Sequence, residues 1–382
     1  MHPMIKPTIL SLSLLTVMSG AAIAPDLAKI AMAFPESSPT SVKFILTVPA
    51  IFIIIFSMLS GWLCTRIAKR KVLFLGLIMY MAGGAGGGIV NSMGNLLVFR
   101  GVLGAGVGLI APLSTGLVAD FYYGDDRARL MGYSTAASSL GGIIATLSAG
   151  FLAAINWRFP FGVYLLGLLV MLLVFVFLPE PVKKQENTGD RSKLPLSVYK
   201  WGASAFFFML AFYAVPMNLA IFLEEMGIGG SAVAGLAISL ITGTGFLGGL
   251  VFGRVKKATA SFLPYILFTL MAAGYFTLSQ STSLIHVLLA TSIIGLALGW
   301  SLPTIFVGAT NAGGNERGVQ TMAVISSLMY LGQFMSPVVL GKIGNIFGNN
   351  SIRFVFYSIA ICFTALLLGV MVKNLLRERR IF

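Results

Sequence analysis

The sequence predicts an all-α integral membrane protein, with twelve transmembrane helices in two pseudo-twofold six-helix bundles. Composition, hydropathy patterning and an internal repeat each point to that class. Of 382 residues, 57% are hydrophobic and only 10% charged, against roughly 25% charged in an average soluble chain. Such a chain has too few polar side chains to cover its own surface in water. Cys64 and Cys362 lie far apart within apolar runs, and His2 and His286 are the only histidines. Neither a disulfide framework nor a metal centre is expected.

A helix needs about 20 predominantly apolar residues to cross the hydrocarbon. Breaks at charges and at Gly, Pro and Asn clusters leave twelve such stretches: 8–33, 42–64, 72–91, 95–119, 128–153, 159–178, 201–223, 231–253, 261–280, 285–309, 318–341 and 351–372. They are too long, and most too rich in Leu, Ala and Gly, for the roughly ten-residue alternating strands of a membrane barrel. The first stretch has a competing reading. Lys6, an apolar run from Thr8 to Met18, and Ala22-Ile23-Ala24 resemble a cleavable secretory signal. The repeat described below sets Pro25 in the register of a retained helix instead.

An even number of spans puts both termini on one side. Of the 26 Lys and Arg residues, 20 fall on that side, five on the other, and Arg100 lies inside a span. The positive-inside rule therefore places both termini in the cytoplasm and the chain in the cell membrane. The net charge of +14 is then a topology signal, helped by contact with anionic membrane lipid, and no nucleic-acid partner is expected. Residues 179–199 hold seven charged residues together with Pro179, Pro181 and Pro195. This stretch reads as a flexible cytoplasmic linker between an N-terminal bundle, 1–178, and a C-terminal bundle, 200–382.

Landmarks recur at an offset of 191 residues. Pro25 matches Pro216, and Gly108 with Pro112 matches Gly299 with Pro303. Leu140, Gly141 and Gly150 match Leu331, Gly332 and Gly341. Asp126-Arg127 and Glu316-Arg317 recur at 190, and Gly61 and Gly253 at 192. Six-span copies share one orientation, so the halves relate by an axis along the membrane normal and enclose a cavity between them.

The run Gly61-Trp62-Leu63-Cys64-Thr65-Arg66-Ile67-Ala68-Lys69-Arg70-Lys71 resembles the loop pattern G-x-L-a-D-r-x-G-r-[RK]-[RK] of the major facilitator superfamily. Within that family the chain is similar to the twelve-helix drug:proton antiporter group. Leu97, Arg100, Gly104 and Gly106 resemble the group's fourth-span pattern, and Asn156-Trp157-Arg158-Phe159-Pro160-Phe161 resembles the W-R-W-P-F that opens its sixth span. The resemblance implies a monomeric secondary transporter working by alternating access. It also implies that Gly61, Thr65, Arg66, Lys69, Arg70, Asp120, Arg127 and Arg317 take part in conformational gating. Two departures stand out. Thr65 occupies the motif's acidic position, whose carboxylate in the family docks at a helix end of the C-terminal half, and Ala68 replaces a glycine. A threonine hydroxyl can cap a helix N-terminus without the charge, and Asp120 is expected to pair with Arg66 or Lys69. In the fifth span, Gly141-Gly142-Ile143-Ile144-Ala145-Thr146 lacks the antiporter motif's proline.

An arginine within a span costs about 2.5–3.5 kcal/mol on insertion scales, so Arg100 is expected to face a partner or a wet cavity. Asp26, which follows Pro25 in the outer third, is the candidate partner. Protonation of Asp26 would release Arg100 and couple a proton to the state of the cavity. The plainer reading pairs Asp26 with Lys29 in water. Glu224 and Glu225, at the outer end of the seventh span, are either solvated boundary residues or further proton sites. Met18, Tyr213, Asn218, Trp300, Tyr330 and Gln333 sit at mid-span depth and are candidates for lining the cavity, with helix packing the alternative for each. The glycines at 83, 84 and 86–88 and those at 101, 104, 106 and 108 are read as sites of close helix approach. The first group is placed near mid-membrane, without the Gly-Lys-Ser/Thr ending of a phosphate loop. No nucleotide, metal or other cofactor is expected. The function read from these features is proton-coupled export of small amphipathic compounds. The alternatives are an uptake symporter or facilitator for a polar nutrient such as a sugar, and a non-transporting receptor or scaffold. No nucleophile–base constellation points to an enzyme.

Overall fold

The computed structural model describes residues 4–180, 194–259, 262–314 and 317–378. Helices α1 (Ile5–Ala21) and α2 (Leu27–Ala33) form the first span, joined through a 3₁₀ turn, Ala24–Asp26. Then come α3 (Pro39–Arg66), α4 (Lys69–Gly86), α5 (Met93–Phe121) and α6 (Gly124–Ile155). The sixth span opens as a 3₁₀ helix, Phe159–Leu165, and continues as α7 (Leu166–Phe177). The seventh span is α8 (Leu196–Phe212) followed by α9 (Ala214–Glu225). The chain continues through α10 (Ser231–Thr259), α11 (Leu263–Ser279), α12 (Leu284–Gly313), α13 (Gly318–Ile346) and α14 (Ile352–Glu378). Ten of these spans are long and apolar enough to cross a membrane by length and composition alone. The other two are α11, which is shorter, and α4, which opens on Lys69, Arg70 and Lys71. All twelve predicted spans are present as helices. Residues 181–193 of the predicted linker lie outside the described residues, and 196–199 already belong to α8.

The first span is not the continuous helix expected. Pro25 has no amide to donate and crowds the carbonyl four residues back, and the chain tightens into a 3₁₀ turn there. The seventh span breaks at Tyr213, three residues before Pro216. The freed carbonyls find tyrosine hydroxyls on neighbouring helices. Tyr164 Oη donates to the Ser19 carbonyl at 2.8 Å. Tyr275 Oη donates to the Ala211 carbonyl at 2.6 Å, with the Phe212 carbonyl at 3.4 Å. Each buried phenol thereby meets a backbone group that its own helix cannot satisfy.

The glycine run ends α4 at Gly86, at the end remote from the termini and not at mid-membrane depth as expected. A Cβ on Gly83 would stand 2.2 Å from the Leu103 amide nitrogen, and one on Gly106 would stand 2.5 Å from the Tyr80 nitrogen. Helices α4 and α5 therefore touch backbone to backbone. Gly83→Ala is expected to lower the thermal unfolding midpoint in detergent, at an overpacking cost of about 1–3 kcal/mol. Gly116→Ala, where a Cβ meets nothing within 4 Å, is expected to leave the midpoint unchanged or raised.

The halves meet most extensively between α6 and α10 and between α3 and α13. The α6–α10 crossing lies at the end remote from the termini. There, a Cβ on Gly150 would be 2.8 Å from the Ser231 carbonyl oxygen, and one on Gly235 would be 2.6 Å from that of Thr146. Phe44 of α3 stacks on Phe334 of α13 with centroids 5.8 Å apart, and α2 and the 3₁₀ turn pack against α9. That side of the molecule is sealed.

Candidate functional site

Between the halves lies a cavity of about 910 Å³. Its wall runs from mid-depth residues such as Gly20 of α1 and Tyr213 toward the side of the termini. Gly132 and Thr135 of α6, Gly249 and Leu250 of α10, and Phe306 and Val307 of α12 lie in that direction. Of the residues predicted to line it, Tyr213, Tyr330 and Gln333 do so, and Gln333 lies beside Tyr213. Met18, Asn218 and Trp300 are placed elsewhere. Met18 is fully enclosed in the apolar core. Asn218 is buried and turns its amide onto the Ala214 carbonyl, one turn back at 2.7 Å. Trp300 Nε1 donates to the Gly248 carbonyl at 3.0 Å and so ties α12 to α10. A residue at mid-depth can face the neighbouring helices of its own bundle as readily as the cavity, and a single chain offers no signal to separate the two.

Asp26 and Arg100 are both buried, at 0% and 1% exposure. They do not form the ion pair expected. Arg100 Nη1 donates to Tyr164 Oη at 2.8 Å, and its guanidinium lies 4.9 Å from the ring centre of Phe161 and 5.2 Å from that of Tyr164. The cation thus sits in an aromatic cage on the sixth span, and Nε and Nη2 have no hydrogen-bond partner. Asp26 has neither carboxylate oxygen hydrogen-bonded. The alternative Asp26–Lys29 pair is not formed either, because Lys29 Nζ donates to the Ala154 carbonyl at 2.8 Å. Lys29 and Arg100 are nevertheless near enough for their charges to act on the carboxyl. Glu224 and Glu225 end α9 as exposed residues.

The loop motif is tied within the N-terminal half. Lys69 pairs with Asp120 at 2.8 Å, while Arg66 stacks 4.1 Å over the ring of Trp62. Thr65 does not cap another helix. Its hydroxyl donates to the Trp62 carbonyl at 2.8 Å, a bond one turn back that a short hydroxyl makes easily. The cap on α4 comes from Glu180, which accepts from the Lys69 amide at 2.7 Å and the Arg70 amide at 3.1 Å. A carboxylate there also meets the positive end of the helix dipole. Arg70 donates to the Phe175 carbonyl and lies over Phe74 and Phe175. Gly61 has open space where a side chain would sit. Arg127 falls in the first turn of α6, with its side chain outside the described residues, and Arg317 directly precedes α13. Arg158 of the sixth-span motif holds the loop after α4, with Nη1 on the Gly88 carbonyl at 2.8 Å and Nη2 on Asn91 Oδ1 at 2.7 Å.

Sequence reasoning missed Glu180 and Tyr164. Glu180 was absorbed into a polar linker. Tyr164 had one local signal, a phenol in an otherwise apolar run, which in hydrocarbon must find a partner. Among the described residues, no group of three or more His, Cys, Asp or Glu is placed to hold a metal ion.

Comparison with known proteins agrees with this architecture. The Major Facilitator Superfamily model matches residues 9–337. The multidrug efflux protein YfmO of Bacillus subtilis (strain 168) is 25% identical over 324 residues, covering 82% of this chain and 79% of that protein. The multidrug transporter protein MdtP of the same organism is 29% identical over 132 residues, and that match spans only 24% of its length. The crystal structure of a D-xylose-proton symporter superposes with a TM-score of 0.77 at 17% identity, covering 95% of this chain and 96% of the other. With a family match over most of its length and twelve helical spans, the chain belongs to the major facilitator superfamily and is a multi-pass membrane transporter, not an enzyme.

Proposed function

We propose that this transporter exports small amphipathic or hydrophobic compounds in exchange for protons, by alternating access. The carrying observation is the mostly apolar cavity, with no charged side chain among the described residues of its wall, and a buried, unpartnered carboxyl, Asp26, two residues beyond that wall at Ala24. In this reading the carboxyl alternates between a proton and the Arg100 guanidinium. The solute occupies the space between the halves near the bilayer midplane. The excess of Lys and Arg on the side of the termini supports a cytoplasmic position for that side, with the cavity facing inward. The Lys69–Asp120 pair and the Glu180 cap stiffen the cytoplasmic loop on which gating turns. The name of the relative YfmO, a multidrug efflux protein, supports efflux.

A second reading, proton-driven sugar uptake, draws on the likeness in fold to the D-xylose-proton symporter. Sugar hydroxyls need a dense set of polar partners, and this wall is largely apolar. Inverted vesicles with an imposed pH gradient, acidic inside, distinguish the readings. Accumulation of acridone, an uncharged fluorescent aromatic, well above the de-energised level is expected, with no gradient-driven loss of preloaded D-xylose. Equal acridone levels with and without the gradient overturn the proposal, and gradient-driven D-xylose movement establishes the rival.

A further inference from the structure

The wall of the central cavity sorts its chemistry by half, and from that sorting we infer that the site takes an uncharged, planar aromatic solute with hydrogen-bond donors on its edge, and disfavours organic cations. The inference rests on the cavity being the transport site. All five aromatic residues in the wall, Phe212, Tyr213, Phe246, Phe306 and Tyr330, come from the C-terminal half. The facing wall from α1, α3 and α6 has, among the described residues, no aromatic ring, only small and aliphatic side chains such as Gly20, Ala21 and Leu46. A flat ring system lodged there finds π faces on one side and a smooth ledge on the other, the arrangement that favours stacking of an extended plane.

Hydrogen-bonding groups line both walls, with Thr16, Ser19, Thr135 and Ser139 on the N-terminal side and Tyr213, Thr242, Tyr330 and Gln333 on the other. The hydroxyls of Thr16, Ser19 and Thr135 each donate to a carbonyl one turn back in their own helix, those of Ser13, Thr16 and Met131. With the proton so committed, each oxygen keeps only lone pairs to offer. On the opposite wall, Gln333 lies beside Tyr213. The complementary solute therefore points N–H or O–H groups at the N-terminal wall.

Among the described residues, no Asp, Glu, Lys, Arg or His lines the cavity. An ionic solute must shed its water there with no counter-charge, which is costly in a low-dielectric site. Behind the wall, Asp26 is flanked by the charges of both Lys29 and Arg100, so a single carboxyl faces two cations and offers an organic cation no surplus negative charge. Ring faces do attract cations, but the attraction is smaller than the loss of a unit charge's hydration.

The test is equilibrium binding to the purified full chain in detergent, read by probe fluorescence and by thermal stabilisation. Four probes share one ring system: acridone, N-methylacridone without the donor, N-methylacridinium as a permanent cation, and 10-carboxymethylacridone as an anion. Acridone is expected to bind tightest. N-methylacridone should bind about threefold to tenfold more weakly for want of its hydrogen bond, and both ions at least about tenfold more weakly. Phe246→Leu should weaken all four probes, and Thr135→Val should narrow the gap between acridone and N-methylacridone. Either ion binding as tightly as acridone overturns the inference, as does N-methylacridone equalling acridone. Binding needs no gradient, so the two readings fail separately. The expected order without any gradient-driven flux removes proton coupling alone, and proton-driven transport of N-methylacridinium removes the present inference alone.

Discussion

Gly235→Val is expected to open the side of the transporter remote from its termini. At that position a Cβ already falls 2.6 Å from the Thr146 carbonyl oxygen and 3.1 Å from the Gly150 Cα, so the two halves meet there with no side chain between them. Backbone atoms cannot swing aside as a long side chain can. Valine must therefore separate α6 from α10, and these helices supply the most extensive contact between the halves. Overpacking of this kind costs about 1–3 kcal/mol, which is roughly a 5–150-fold change in the balance between two states. The cost falls only on the state with that side closed, so the population moves to the state with it open. Spin labels at Ile155→Cys and Glu225→Cys, in a background lacking Cys64 and Cys362, report the change as a longer mean distance. Gly253→Val is the control, since a Cβ there meets nothing within 4 Å. An unchanged distance for Gly235→Val would show that the crossing does not hold the seal.

Asp26→Asn is expected to abolish gradient-driven accumulation while leaving solute binding in detergent and solute–solute exchange near their original levels. Asparagine keeps the shape of the side chain and removes its ability to take and release a proton. The site suits a proton carrier because the carboxyl is fully buried with neither oxygen hydrogen-bonded, and Arg100 supplies the charge that can answer it when the proton leaves. Transport by the parent should vary with pH on the side to which the carboxyl is exposed, and the variant should lose that dependence. Glu224→Gln and Glu225→Gln are expected to retain gradient-driven accumulation, because both carboxylates are exposed at the end of α9. If the Asp26 variant accumulates acridone to the parental level, the coupling group lies elsewhere.

The architecture was legible because the constraints that fix it are global. Hydrocarbon thickness sets the length of a span, and duplication writes the same landmarks twice. Side-chain partners were less legible. The Lys69–Asp120 pair was one of two options, since both basic residues lay within reach in sequence. Arg100 was read as needing company, and its hydrogen-bond partner, Tyr164, lies 64 residues away; the packing of the fourth and sixth spans on the third brings the two together. The cavity wall was half legible. Tyr213, Tyr330 and Gln333 reach it, whereas Asn218 and Trp300 satisfy their nitrogens on backbone carbonyls of their own bundle. Depth along a span follows from residue number, but azimuth around the helix is decided by neighbours.

The broken first and seventh spans have a mechanical consequence. In an unbroken helix every carbonyl is held by an amide one turn on, and tilting its upper part means unzipping that ladder. Here the carbonyls of Ser19 and Ala211 hang from phenol hydroxyls on other helices. The short pieces Leu27–Ala33 and Ala214–Glu225 are thus hung like louvre slats, with no continuous ladder of backbone bonds fixing them to the pillars beneath.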